Sequence, residues 1–287
     1  MSSGLNEKEE LLLLVHKCAG KLGFQFLVVG AMARDMLIEL QDQGISPPSS
    51  TLDVDVGCRV SDWAAYEKIY ALLLEQEDMS EDVSMVHRLL FRGRIPLDLL
   101  PFGAIGGRGH TINWPERDDM VLSIAGFEEA YRSSVSVSIG DQVFSVASFA
   151  AIVWLKLAAW YDNRSRTKDL ADIWFLVDNY LEFISEDRIY AEDGIDRDVF
   201  DDDRFSAIRA GARLLGRDMA RQGGSMARYL VSRLMNGHGE PCDALVGAMV
   251  TVVPSSVNAL EIADIFAVLW SEIQKMSGEF INKRLDS

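Results

Sequence analysis

The sequence is short of the residues that would place it in several common classes. Its 287 residues contain three cysteines, Cys18, Cys58 and Cys242. They are far apart, odd in number and without metal-binding spacing, so they exclude a disulfide framework and read as thiols of a reducing compartment. Long apolar runs are missing, for none approaches the roughly 18–20 residues that span a bilayer, and no membrane segment is expected. The opening MSSGLNEKEE lacks the basic start and apolar core of a secretion signal, and a cytoplasmic location is the expectation. No GxxxxGK(S/T) run occurs, which excludes a Walker-type phosphate loop. Positive charge is scarce as well. Against 44 Asp and Glu there are 28 Lys and Arg, a net charge of -16. Such a surface repels nucleic acid unless its cations are gathered in one place.

What is present is a globular composition, 48% hydrophobic, in two unlike halves. Leu11 to Leu22 reads as a helix, and Phe24 to Val29 as a buried strand that stops at Gly30. Ala31 to Leu40 has helical spacing, and QGISPPSS, residues 43–50, reads as a loop. Leu52 to Val56 alternates as a strand and Trp63 to Glu75 is an amphipathic helix. Val86–Phe91 and Ile95–Leu100 flank Arg92-Gly93-Arg94 as a hairpin. Gly103 to Gly109 reads as a glycine-rich loop. A second hairpin pairs Val135–Ile139 with Val143–Val146, and Ser148 suits the N-cap of the apolar helix that follows. Nearly everything beyond is helical in pattern. The expectation is an α+β chain with a mixed sheet and helices over 1–147 and a mostly helical domain over 148–287.

Chemistry concentrates in a few acids. On a strand, residues i and i+2 share a face, so Asp53 and Asp55 put two carboxylates side by side. Such a pair repels itself unless a cation sits between, and Mg²⁺ suits one or two carboxylates with water and substrate phosphates. An acidic sheet edge facing water is the plainer alternative. Asp98 is the one acid in the apolar run IPLDLL and needs a partner if it is buried. It is either an edge acid or a third carboxylate that accepts a proton from an attacking hydroxyl. The Gly30-Ala31 turn allows close backbone approach to a phosphate at the N-terminus of the following helix. Lys156 is the one charge within AIVWLKLAAWY. It either snorkels to the helix surface or reaches an anion, as do Arg164, Arg166 and Lys168 just beyond it.

The blocks FLVVGAMARDML, TLDVDV, IPLDLLPFG and SVASFAAIVWLKLAAWYDNRSRTKDLADIWFL occur in that order. Together they resemble the AbiEii-type nucleotidyltransferases, relatives of DNA polymerase β that include toxins of type IV toxin–antitoxin systems. The first block is also similar to the opening of CCA-adding enzymes and poly(A) polymerases. The resemblance covers roughly residues 24 to 180 and implies a polymerase β-like core over the first half. It implies that Asp53 and Asp55 are the metal-binding pair and Asp98 the third catalytic and metal-binding carboxylate. Gly30 and Ala31 match the turn over the phosphates, although Ala31 stands where the family usually has Gly or Ser. Lys156 matches a phosphate-binding lysine, and Lys168-Asp169 the element by which the helical half completes the nucleotide site.

The activity so implied is Mg²⁺-dependent transfer of a nucleoside monophosphate from an NTP to a hydroxyl. RNA, in particular a tRNA 3′ end, is the expected acceptor, and a cognate antitoxin the expected partner. A small molecule such as an antibiotic, or a protein, is the alternative acceptor, and a non-catalytic nucleotide-binding regulator is the rival reading. Arg209, Arg213, Arg217 and Arg221 recur every four residues on one broad helix face. That face either pairs with the acidic stretch Glu182–Asp203, itself expected to be a solvated loop, or joins Arg164 and Arg166 as a basic track for an RNA acceptor.

Overall fold

In a computed structural model the chain separates into two compact units, Met1–Leu40 with Ser49–Ser148, and Gln41–Pro48 with Phe149–Ser287. The structure describes residues 6–41, 44–47, 51–106, 111–115, 121–191, 193–200, 206–235 and 241–285. The loop expected over 43–50, the end of the glycine-rich loop at 107–109 and the triplet Asp201-Asp202-Asp203 fall wholly or partly outside them.

The first unit opens with α1 (Glu7–Leu22), begun by a reciprocal cap in which the Asn6 side chain accepts from the Glu9 amide and Glu9 accepts from the Asn6 amide. Next come β1 (Gln25–Val29), α2 (Gly30–Gln41), β2 (Val54–Arg59), α3 (Trp63–Leu74), β3 (Met79–Glu81), β4 (Arg88–Phe91) and β5 (Ile95–Phe102). The small ribbon β6 (Thr111–Asn113) and β7 (Val121–Ser123), α4 (Phe127–Arg132), β8 (Val135–Ile139) and β9 (Gln142–Val146) complete the unit. Seven strands form one mixed sheet in the order β3-β4-β5-β2-β1-β9-β8. β2 pairs antiparallel with β1 and parallel with β5, which makes it central and explains the complete burial of Val54, Val56 and Cys58.

The sheet departs from the sequence expectation at β2. The strand begins at Val54 rather than Leu52 and runs on through Gly57 to Arg59. Its partner β1 ends at Val29, opposite Asp55, where the chain turns into α2. Leu52 and Asp53 therefore lie before the paired region, and Leu52 is exposed. Short elements such as β3, the β6–β7 ribbon and α4 carry too few residues to show a period, and the sequence pattern does not reveal them.

The second unit is helical: α5 (Phe149–Asp162), α6 (Thr167–Asn179), α7 (Glu186–Tyr190), α8 (Ala207–Gly223), α9 (Ser225–Leu234), α10 (Asp243–Val250) and α11 (Ala259–Leu285). Its core includes Trp154, Trp160, Phe266 and Trp270, all fully buried or nearly so. α8 and α11 approach closely because residue 216 is glycine; a Cβ there would fall 2.4 Å from the Leu269 carbonyl oxygen. The chain is thus α+β, a mixed sheet with helices followed by a helical half. Among the described residues, no helix is long and apolar enough to cross a membrane.

The four arginines of α8 face inward. Arg209 pairs with Asp264, and Arg213 with Glu272 at 2.9 Å. Arg217 reaches Glu272 at 3.0 Å, Asp196 at 3.1 Å and Asp198 at 2.6 Å, while Arg221 reaches Asp196 at 2.9 Å and Asp218 at 3.3 Å. Arg188 on α7 adds bonds to Asp196 and Asp218, and the Tyr180 hydroxyl donates to Asp218 at 2.8 Å. This corrects the reading of Arg209, Arg213, Arg217 and Arg221 as an acceptor-binding track, because their guanidinium groups are consumed by acids of their own unit. It also corrects the view of Glu182–Asp203 as simply solvated, since Asp196 is fully buried. Burying a carboxylate is costly, and several arginine donors offset that cost here.

Burial alone would push the Asp196 carboxyl up, but hydrogen bonds from Arg221, Arg188 and Arg217 outweigh it and bring it down to about 2. Arg217 likewise lowers Asp198. A carboxyl depressed in the folded state contributes stability above its ordinary range near about 4, and that stability is lost as pH falls toward the folded value. The second unit is therefore expected to lose stability between about pH 4 and about pH 2, followed by helical circular dichroism. A stability unchanged down to pH 2 would contradict the network.

Candidate active site

The carboxylates singled out from the sequence lie in the first unit. The parallel register of β2 and β5 sets Asp55 directly opposite Asp98, and the antiparallel register of β4 and β5 sets Arg88 opposite Asp98. Cross-strand partners point to the same face, so Asp55, Asp98 and Arg88 form a row across three strands. Asp53 precedes β2 by one residue.

Asp98 has a permanent counterion. The Arg88 Nε–H donates to Oδ1 at 2.6 Å and an Nη2–H donates to Oδ2 at 2.8 Å, the parallel fork geometry of a strong guanidinium–carboxylate pair. Both side chains are largely buried. The hydrogen bonds to Asp98 hold the Arg88 guanidinium above its ordinary range despite some desolvation, and Asp53 and Asp82 add to the attraction. Like-charge repulsion in the row is thus relieved by a fixed guanidinium, a group the sequence reading did not single out.

Asp55 lies against the start of α2. Gly30 has φ +66°, and a Cβ added to it would fall 2.0 Å from Asp55 Oδ2. Glycine at this turn makes room for the carboxylate as well as for the left-handed backbone. A negative group at this position also faces the positive end of the α2 dipole. The space over the Gly30-Ala31 turn, expected for phosphate, is shared with Asp55, and Ala31 is itself buried.

The residues fit a metal in part. Among the described residues, no group of three or more His, Cys, Asp or Glu side chains is arranged to hold an ion. The expected three-carboxylate cluster is therefore not assembled in this arrangement, because Asp98 is turned to Arg88. Asp53 and Asp55 supply the oxygen donors that Mg²⁺ takes when it arrives with a triphosphate, which needs one or two carboxylates and no closed protein cage.

The residues singled out on the helical half belong to the second unit. The Lys156 ammonium is bound by Asp169 at 2.9 Å and Asp172 at 2.8 Å, and the three side chains are mostly buried. Burial alone would lower Lys156, but the two carboxylates outweigh it and hold the ammonium above its ordinary range. Arg166 binds the other oxygen of Asp169 at 2.5 Å. Lys156 thus neither snorkels nor stands as an isolated cation; it ties α5 to α6. Replacing it with methionine would leave two buried acids short of a partner, and a loss of about 3 kcal/mol is expected in urea unfolding. A loss below about 1 kcal/mol would show that water replaces the ammonium.

Basic groups remain on the surface of this unit. Arg164 lies over the Trp160 ring at 3.9 Å and the Tyr161 ring at 4.8 Å. Arg233 lies over Tyr229 at 5.4 Å and Tyr161 at 5.8 Å. Arg164, Lys168, Arg228 and Arg233 are exposed, and none has an acid partner among the described residues. Only Arg164 and Lys168 stand out in the sequence; Arg233, on α9, joins Arg164 at the Tyr161 ring.

Comparison with known proteins places the chain in a family. Residues 51–233 match the family described as nucleotidyl transferase AbiEii toxin, type IV TA system. Two similar solved structures are a crystal structure of ANT(2")-Ia in complex with adenylyl-2"-tobramycin and a solution structure of the antibiotic-resistance factor ANT(2")-Ia. The first is 12% identical with a TM-score of 0.39, over 59% of this chain and 87% of that one. The second is 13% identical with a TM-score of 0.35, over 58% and 81%. No curated protein matches the chain.

Proposed function

We propose, for a chain that belongs to the AbiEii nucleotidyltransferase family, that Asp53, Asp55 and Asp98 make up its catalytic centre and that RNA is its acceptor. The observation that carries the first part is the β2–β5 register, which brings Asp55 beside Asp98 at the glycine turn. Asp53 and Asp55 would hold Mg²⁺ with the NTP, and the ion when bound neutralises charge on the phosphates. The acceptor hydroxyl oxygen attacks the α-phosphorus, the bond from that phosphorus to the bridging oxygen breaks, and pyrophosphate leaves. Asp98 accepts the hydroxyl proton. Arg88 uses one lone pair on each Asp98 oxygen and leaves others for that proton while fixing the plane of the carboxylate.

The exposed Arg164, Lys168, Arg228 and Arg233, interleaved with Tyr161 and Tyr229, support RNA as the acceptor in place of the α8 arginines. Cations serve phosphates, and aromatic faces stack on unpaired bases. The type IV toxin family suggests an antitoxin as the protein partner. The test is incubation of the protein with each labelled NTP and Mg²⁺ in the presence of total RNA. Labelled RNA is expected from the wild type and a loss of at least about tenfold from Arg164→Glu/Arg233→Glu at physiological salt. Label on the protein, label in small molecules only, or equal RNA labelling by the double variant would reject the RNA reading.

A further inference from the structure

Two-ion phosphoryl-transfer sites hold their ions about 3.5–4 Å apart, among carboxylates that serve both. Asp53 and Asp55 are half-buried, with access for an ion that arrives with a nucleotide, whereas Asp98 is buried. Among the described residues, the Arg88 guanidinium is the one hydrogen-bond partner of Asp98, and it takes both carboxylate oxygens, at 2.6 and 2.8 Å. A Mg²⁺ ion that used Asp98 would have to lie about 2.0–2.1 Å from one of those oxygens. That place borders a fixed positive charge where both side chains are largely shielded from water, so the ion and the guanidinium exclude each other.

Arg88 has little freedom to give way. Its N–H donates to the Met85 carbonyl at 3.1 Å, and its own carbonyl accepts from the Asp82 N–H at 3.3 Å. The β4–β5 register holds its Cα opposite that of Asp98, and its side chain is 19% exposed. A guanidinium keeps its charge throughout the working range of a protein, so the place is never vacated by loss of a proton. Asp53 is near enough to add to its attraction. Three carboxylates less one guanidinium leave two negative charges, which a single divalent ion neutralises.

We infer, resting on the catalytic reading above, that Arg88 stands where a second divalent ion would otherwise bind, and that the centre takes one ion, at Asp53 and Asp55. Arg88 is then a positioning residue that acts through Asp98. A guanidinium offers donors and no Lewis-acid position, so it cannot coordinate the acceptor oxygen as an ion does. Activation of the acceptor hydroxyl falls to Asp98 alone, as a base that no ion occupies.

The test uses the full chain with Mn²⁺, a paramagnetic substitute for Mg²⁺, and the α,β-methylene analogue of each NTP in turn, which blocks transfer. Two Mn²⁺ ions about 3.5–4 Å apart couple their spins and split the electron paramagnetic resonance spectrum, which one ion cannot do. The wild type is expected to show a single uncoupled ion at saturating Mn²⁺, and Arg88→Gln to gain a second, spin-coupled ion. Arg88→Lys keeps the charge and should stay with one. Arg88→Gln/Asp98→Asn, which leaves no unpaired acid, should return to one, and thermal unfolding checks that each variant folds. A spin-coupled pair in the wild type, which decides whether or not a variant folds, would overturn the inference and leave the catalytic reading standing. So would a single ion in folded Arg88→Gln. A spectrum matching Mn²⁺ and nucleotide without protein, in wild type and variants alike, would reject both.

Discussion

Replacing Asp55 with asparagine is expected to cut nucleotidyl transfer by about 10³-fold, while the first unit stays folded. The substitution keeps the shape of a side chain that sits against Gly30 at the start of α2. It removes one of the two carboxylates that suit a metal brought by the nucleotide. An amide oxygen is a far poorer ligand for Mg²⁺ than a carboxylate, so the charge on the phosphates would lose part of its counterweight. The check is the initial rate of pyrophosphate release with total RNA, beside a thermal unfolding curve. A rate within tenfold of the wild type would place the metal elsewhere. An equal fall with a collapsed unfolding transition would mean that Asp55 acts by holding the helix start.

The second large effect concerns stability in the helical unit. Arg217→Ala is expected to destabilise it by about 4–5 kcal/mol. Arg217 is the shared partner of Glu272, Asp196 and Asp198, and the first two of these carboxylates are buried. Removing the guanidinium leaves those acids in a low-dielectric interior with fewer donors. They must then take up protons or open the packing of α8 against α11. The same change made together with Glu272→Met should recover part of the loss, because one uncompensated charge goes with it. Urea unfolding of the single and double variants measures both. A single-variant loss under about 1 kcal/mol would show that water satisfies these acids.

Much of the sheet was legible in the sequence because its period is strong. Both hairpins, the strand before Gly30 and the strand through Asp55 follow from apolar spacing, although that strand begins only after Asp53. The Arg88–Asp98 pair was within reach as well. With Phe91 opposite Ile95 across the Arg92-Gly93-Arg94 turn, counting back three places sets Arg88 against Asp98. The hairpin is plain from its spacing, whereas the charged pair emerges only when the register is counted through the turn. The Asp55–Asp98 pairing is different, since β2 and β5 are parallel and the intervening chain passes through α3, β3 and β4. No turn fixes that register, and only a family resemblance joined the two residues. On the helical half, the spacing of the α8 arginines was plain. Their partners were not, because Asp264 and Glu272 lie some fifty residues away with ordinary helix spacing, and Asp196 is drawn from a segment that reads as loop.

The contrast between the inward arginines of α8 and the outward ones near Tyr161 bears on ionic strength. Dissolved ions screen charges that water can reach, with a Debye length of about 8 Å at physiological salt and about 3 Å at 1 M. Arg217, Asp196 and Glu272 are closed off from those ions, whereas Arg164, Arg228 and Arg233 are bathed in them. Raising sodium chloride should therefore strip a polyanion from the second unit long before it loosens the network beneath. The two groups of arginine, identical in chemistry, separate along a salt titration by depth alone.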